Sequence, residues 1–325
     1  MKIIFQIDGG IGKSVAATAV CRAIKTQYPK DQLIVITGYP EVFLCNPHID
    51  KVFNFNDLRY FFNDYIEEQD VKIMAHNPYV ETNFIKEQGH LVKVWCEMFD
   101  IKYNGELPEL FINNREMNFY ANQFKSQKPI MILQTNGGAA NQQNKYSWTR
   151  DLPTATAQKV VYAFANDYNI VHVRREDQIP LQGTTPLQAD FRAITTVIMM
   201  SQKRLFIDSF CQHTAAALGM HSVVCWIGNK PSQFGYDMHT NIVAHAPTIR
   251  PELRHSVYSR YNISGNATEF PYNNEDEIFD IDQIIETLRM DSKSAPAPVL
   301  VPEAAIAEES VTKKNKKEKA EIVAQ

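Results

Sequence analysis

Directly after the apolar hexamer KIIFQI stands Asp8-Gly9-Gly10-Ile11-Gly12-Lys13-Ser14. A turn of small residues followed by a Lys and a hydroxyl has the parts of a phosphate loop. It offers backbone N–H groups around the phosphates, an ammonium against their charge and an oxygen for Mg²⁺. The match to the nucleotide-hydrolase loop is incomplete. Ile7 stands where the first Gly of GxxxxGK[ST] belongs, and Asp8 stands where the deviant form of that loop carries a Lys. Such hydrolases also use an apolar strand ending in a metal-holding Asp. The best candidate, LFID ending at Asp208, lies far downstream. A P-loop ATPase acting through residues 9–14 is therefore kept as an alternative reading. His48, His76 and His90 lack metal-ligand spacing, and no GxSxG elbow occurs, so neither a metal site nor a hydrolase triad is expected.

These residues need a scaffold, and the hydropathy pattern supplies one. Residues 2–7 are nearly all apolar, as a strand buried on both faces should be. Ser14 reads as a helix N-cap, and Val15, Ala19, Ala23 and Ile24 continue a helical spacing that ends before Pro29. Strands are expected at 33–37 and 52–55, and an amphipathic helix at 91–101. The polar stretch 113–128 reads as a passage between two halves. At Pro129 the grammar restarts with a strand at 130–134, a turn at Gly137-Gly138 and a helix at 154–166. A strand at 170–173, a helix at 187–200, a strand at 205–207, a helix at 213–218 and a strand at 222–227 follow. The apolar stripe Ile278, Ile281, Ile284, Ile285, Leu288 predicts a last helix over 276–290. Strands alternating with helices imply parallel α/β sheets, whose carboxyl ends usually hold the ligand.

Composition agrees. At roughly 150 residues per domain, 325 residues make two. The chain is 44% hydrophobic and 22% charged, with 33 basic and 37 acidic residues for a net charge of −4. No basic excess argues for general affinity to nucleic acid or an anionic membrane. No apolar run is long enough to span a bilayer, and the N-terminus lacks a signal-peptide pattern. Five scattered cysteines fit reduced thiols and a cytoplasmic location. Beyond Asp291 a Pro-, Ala- and Ser-rich segment leads into a Lys-rich run, the composition of a disordered tail.

Several ordered segments resemble glycosyltransferase family nine, the heptosyltransferase-like enzymes. GGIGKSVAATAVCRAIKTQYP (9–29) and NPHIDKV (46–52) stand where that family has its Gly loop with the following helix and its "NPxIDxV" element. WCEMFDIKYNGELPELF (95–111) looks like the close of its first domain. ILQTNGGAANQQNKYSWTRDLP (132–153) and the block at 181–228 are similar to its strand–loop–"K.W" element and its "DSG..H.AaAlg" element. The resemblance covers about 1–245.

It implies a GT-B-like α/β fold, in which two Rossmann-like domains (1–125 and 126–290) face a central cleft, followed by a disordered tail (291–325). It further implies an inverting hexosyl- or heptosyl-type transferase. Such an enzyme moves a sugar from a nucleotide-diphosphate donor to a glycan or other hydroxyl acceptor and needs no metal or cofactor. A nucleic-acid acceptor stays open, without any feature that indicates it.

On that resemblance, donor contacts fall to Thr135, Asn136, Lys145, Asp208, Ser209, Gln212, His213 and Thr214, where a helix start favours the diphosphate. Lys145 is the family's cation for the leaving group. Gly9, Gly10, Gly12, Lys13 and Ser14 form the acceptor-side loop. Two departures stand out. Phe210 replaces the Gly of "DSG", and Lys13 occupies the family's acidic base position. A Lys of ordinary pKa cannot take a proton at pH 7, so Asp8 becomes the candidate base. A catalytically inactive binding module of the same fold is the further alternative.

Overall fold

The structure, a computed structural model, describes residues 1–124, 126–137, 147–245, 270 and 272–291. Residues 292–325 of the tail expected at 291–325, together with Gly138 and Lys145, lie outside them.

The first half runs β1 (Lys2–Ile7), α1 (Ile11–Gln27), β2 (Gln32–Thr37), β3 (Lys51–Asn54), α2 (Phe61–Tyr65), β4 (Val71–Met74), α3 (Thr82–Ile85), α4 (Leu91–Met98) and α5 (Asn114–Gln123). Next come β5 (Ile130–Leu133), α6 (Thr154–Phe164), β6 (Asn169–Val173), β7 (Thr185–Leu187), α7 (Phe191–Met200), β8 (Lys203–Ile207), α8 (Phe210–Ala217), β9 (Val223–Trp226), α9 (Pro231–Phe234), β10 (Thr240–Val243) and α10 (Ile281–Met290). Two parallel sheets result, ordered β3-β2-β1-β4 and β10-β9-β8-β5-β6-β7. β1 pairs with β2 from Lys2↔Gln32 to Ile7↔Thr37, so the two strands end level. In the second sheet, β5 lies between β6 and β8. Connections leave β5 toward one edge and β8 toward the other, which makes their carboxyl ends a topological switch point.

The central strands of both sheets (β1, β2, β5, β8 and β9) are buried on both faces, as their apolar runs require. In the first half, β1 packs with α1 and α4 around Phe5 and Trp95, whose rings meet edge to face 5.2 Å apart. The opposite face is closed by Phe61 with Phe53 and Tyr65. In the second half, α6 and α10 cover one face and α7 and α8 the other. The first core continues into the second half, because Phe191 belongs to it and Phe210, Leu218 and Phe234 pack against it. Helix α1 is buried on most of its surface, and Ala16, Ala17, Ala19 and Ala23 let it approach its neighbours closely. A buried fork joins the halves again. Arg192 on α7 pairs with both carboxylate oxygens of Glu116 on α5 and donates to the carbonyls of Phe111 and Glu41.

Four sequence expectations are corrected. Ser14 does not cap α1, because the helix starts at Ile11 behind Gly10 and Ser14 sits fully buried within its first turns. The helix expected from 187 begins at Phe191. Leu187 belongs to β7, paired with Val173, and Asp190 caps the helix by accepting from the N–H of Ala193. The polar passage at 113–128 contains α5, capped by Asn113 through the N–H of Glu116. Helix α8 starts at Phe210 rather than His213. Strands β4, β7 and β10 carried no separate expectation. Asp291, counted with the tail, is held to the second sheet: its backbone carbonyl accepts from Lys203 and its carboxylate pairs with His221.

Candidate active site

A cleft of about 1090 Å³ opens between the two sheets at the carboxyl ends of their strands. The first half contributes the start of α1 (Gly10 to Lys13) and Tyr79. The second contributes Gln134 and Asn136 after β5, Arg174 after β6, Asp208 and Ser209 after β8, Asn229 after β9, and Arg150. The N-termini of α1 and α8 meet there. Neither N-cap residue, Gly10 nor Ser209, caps its helix with a side chain. At α8 Gln134 Oε1 accepts from the N–H of Cys211 at 3.4 Å, and both helices present the positive end of a dipole to the cleft.

Gly12 is where the two helices touch. A Cβ on Gly12 would lie 3.2 Å from His213 Cδ2 and 3.3 Å from Phe210 Cα. Its small size therefore serves the packing of α1 on α8. Gly9 has φ +90°, a conformation that favours glycine and turns the chain from β1 into α1.

Lys13 does not project into open solvent. Its ammonium pairs with Asp8 Oδ1, donates to Asn77 Oδ1 at 3.0 Å, and lies 4.9 Å from the Tyr79 ring centroid and 5.2 Å from that of Trp95. The Lys13 side chain is 3% exposed and that of Asp8 56%. Ser14 Oγ lies 3.4 Å from Thr37 Oγ1 in the core. The two side chains that a phosphate loop would aim at a triphosphate are thus engaged within the first half.

Of the candidate donor residues, Asn136, Asp208, Ser209 and His213 line the cleft, whereas Thr135, Gln212 and Thr214 do not. Thr135 is buried and shares a hydrogen bond with His172 Nε2 at 2.9 Å. Gln212 donates to the carbonyl of Phe234, and Thr214 is fully buried. These three sit behind the cleft wall because β5 and α8 are covered on their inner sides.

His213 shares a 2.8 Å hydrogen bond with Tyr236 Oη, and burial beside His90 and His239 lowers its pKa to about 3. It is a neutral imidazole at pH 7. Asp208 accepts from Asn229 Nδ2 at 2.5 Å; burial raises its pKa, while the Asn229 bond and the nearby Arg150 oppose the rise.

Arg150, Asn229, Tyr79 and Asn77 carried no sequence assignment. Asn77 and Tyr79 flank a Pro after β4, a strand too short to announce itself. Arg150 follows Trp148 in the "K.W" element, close enough to have been considered. Its backbone turn is pinned: the N–H of Gly228 donates to Thr149 O at 2.7 Å. Asp151 accepts from the N–H groups of both Gly137 and Ser147, the residues that flank 138–146. Lys145 belongs to that intervening segment, outside the described residues.

No protein-family model and no curated protein matches the sequence. Solved structures do. The chain is similar to the family 9 glycosyl transferase of Veillonella parvula, with TM-score 0.62 and 12% identity over 89% of this chain and 96% of that one. It is also similar to the ADP-heptose LPS heptosyltransferase II of E. coli, with TM-score 0.63 and 13% identity over 90% and 98%. The heptosyltransferase TibC of enterotoxigenic E. coli, in complex with ADP-D-β-D-heptose, matches with TM-score 0.53 and 13% identity over 73% and 61%. At these identities the likeness establishes the architecture. The chain has the GT-B-like fold of the family 9 and heptosyltransferase structures, with two parallel sheets facing one cleft.

Proposed function

We propose that the chain is a glycosyltransferase that moves a sugar from a nucleotide-diphosphate-sugar to a hydroxyl acceptor by direct, inverting displacement. The observation that carries this reading is the meeting of two helix N-termini, one from each half and neither capped by its own N-cap side chain, in a single cleft. Such a site favours a diphosphate and brings a second substrate against it. In this reading residues 1–125 form the acceptor domain and 126–290 the donor domain. The neighbours named for ADP-heptose make ADP-sugars the first donors to test.

The acceptor oxygen attacks the anomeric carbon, and the bond from that carbon to the phosphate oxygen breaks. Its electron pair leaves on the nucleoside diphosphate. The acceptor proton passes to Asp8, whose Oδ1 is held by Lys13 and whose Oδ2 has no hydrogen-bond partner among the described residues. Lys13 thus orients the base in place of being one. Asn136, Ser209 and the start of α8 face the donor, with Thr135, Gln212 and Thr214 supporting them from behind. Lys145 supplies positive charge to the leaving group, as the family resemblance implies. Its change to Ala slows turnover by roughly 10²- to 10³-fold, the usual loss for a stabilising group of this kind.

The test is a thermal-shift panel of ADP-, GDP- and UDP-sugars against ATP with Mg²⁺. A nucleotide-sugar should raise the melting temperature. Stabilisation by Mg·ATP alone, abolished in Lys13→Ala, would replace the transferase with the ATPase. The Lys13–Asp8 pair favours one second reading, a binding module whose base is neutralised. In that case a nucleotide-sugar stabilises the chain, but no acceptor elicits release of nucleoside diphosphate.

A further inference from the structure

We infer that Arg150 is a second diphosphate-binding cation of the cleft, besides Lys145, held ready in a slot made by Gly137. This inference rests on the nucleotide-sugar reading of the cleft and adds a residue to it.

Among the described residues, four basic side chains line the cleft: Lys13, Arg150, Arg174 and Arg175. Lys13 is engaged by Asp8 and Asn77. Arg174 donates to the carbonyls of Arg175, Glu176 and Gln178, and Arg175 pairs with Asp177. The guanidinium of Arg150 makes no hydrogen bond to any described residue, and its Nε is buried without a partner. A buried donor left open is unfavourable unless a ligand or solvent completes it.

Arg150 acts on the neighbouring carboxylates through charge and not through a hydrogen bond. Asp151 lies 3.8 Å from Arg150 Nε, beyond hydrogen-bond reach, and its oxygens already accept from the N–H groups of Gly137 and Ser147 and from Asn136 Nδ2. Asp208 accepts from Asn229. The two terminal nitrogens of Arg150 are therefore the donors left for a ligand, with no hydrogen-bond acceptor among the described residues, and such a planar pair suits two phosphate oxygens at once.

Its position is built into the backbone. A Cβ on Gly137 would lie 2.6 Å from Arg150 Nε and 2.9 Å from Cζ, so only glycine leaves room for the guanidinium here. The slot lies between Asn136 and Asp208, beside the start of α8 and at the ends of β5 and β8. Arg150 and Asp208 also act electrostatically on Tyr79 of the opposite wall, as does Asp8.

The test is titration calorimetry of the full chain with ADP, GDP, UDP and CDP and the four matching monophosphates. The diphosphate that binds the wild type should bind Arg150→Gln roughly 10- to 100-fold more weakly, the loss expected for a charge-assisted pair. Its monophosphate should lose less. Gly137→Ala keeps the charge but displaces the guanidinium, at the cost only of moving a flexible side chain, and should lose affinity to a similar extent. If the wild type binds a diphosphate and both variants match it, the role of Arg150 is wrong while the reading of the cleft stands. If the wild type binds none of the four diphosphates, both fall together.

Discussion

The Lys13–Asp8 pair is unequal, and that inequality sets an asymmetric cost. The ammonium is the desolvated half, with a side chain 3% exposed, while the carboxylate is 56% exposed. Asp8→Ala leaves a buried cation with only Asn77 and the faces of Tyr79 and Trp95. Breaking a buried pair typically costs about 3–5 kcal/mol. The two ring contacts return roughly 0.5–1 kcal/mol each. A loss of about 1–4 kcal/mol is therefore expected for Asp8→Ala. Lys13→Met leaves only an exposed carboxylate and fills the same aromatic pocket with an apolar chain, so its cost should stay within about 1 kcal/mol. The double variant should recover most of the loss of Asp8→Ala. Urea unfolding midpoints at constant slope measure all three. Equal costs for the two single variants, or a double variant no more stable than Asp8→Ala, would refute the assignment of Lys13 as the buried partner.

Two further outcomes follow from the same geometry. Ser14→Ala removes a hydroxyl that meets only Thr37. It should cost about 1 kcal/mol or less and leave nucleotide affinity unchanged; a large loss of affinity would restore the phosphate-loop reading. Burial lowers the pKa of His213 to about 3 and those of His239 and His172 to about 4. The unfolded chain, with histidines near 6.5, binds more protons than the folded one between these limits. Their contribution is complete above about pH 6.5 and is lost as pH falls toward 4. Asp151, Asp208 and Glu109, raised by burial, act the other way, so the diagnostic is a difference. Melting temperature should fall less steeply from pH 7 to 5 in His239→Gln than in the wild type, and identical slopes would refute the buried neutral imidazole.

Much of the fold was legible locally. Residues 2–7, 33–37 and 130–134 form strands because an unbroken apolar run can be buried on both faces of a parallel sheet. The spacing of Val15, Ala19 and Ala23 can close only one kind of repeat. Short strands escaped this reading. Val71–Met74 alternates over too few residues, and Thr185–Leu187 contains a Pro that an edge strand tolerates. Helix α5 was missed because it has no fully buried residue and so shows no apolar stripe. The motif at 181–228 located the α8 start at the cleft, but which of its side chains face inward depends on what covers the helix.

The sequence by itself determined that the chain forms two parallel α/β units with glycine turns at the ends of β1 and β5, and hence that a ligand cleft lies between them. These properties depend on hydrophobic period and turn chemistry, which act over a few residues. Only the tertiary structure decided what the side chains do there. Lys13 meets Asn77, 64 residues away, and pairs with Asp8. Gly12 is small for the sake of Phe210 and His213 in the other half. Arg150 keeps its terminal nitrogens without a hydrogen-bond acceptor among the described residues, because Asp151 and Asp208 already accept from other groups. Charge and spacing describe what a residue can do; distance to partners remote in the chain decides which of those things remains available.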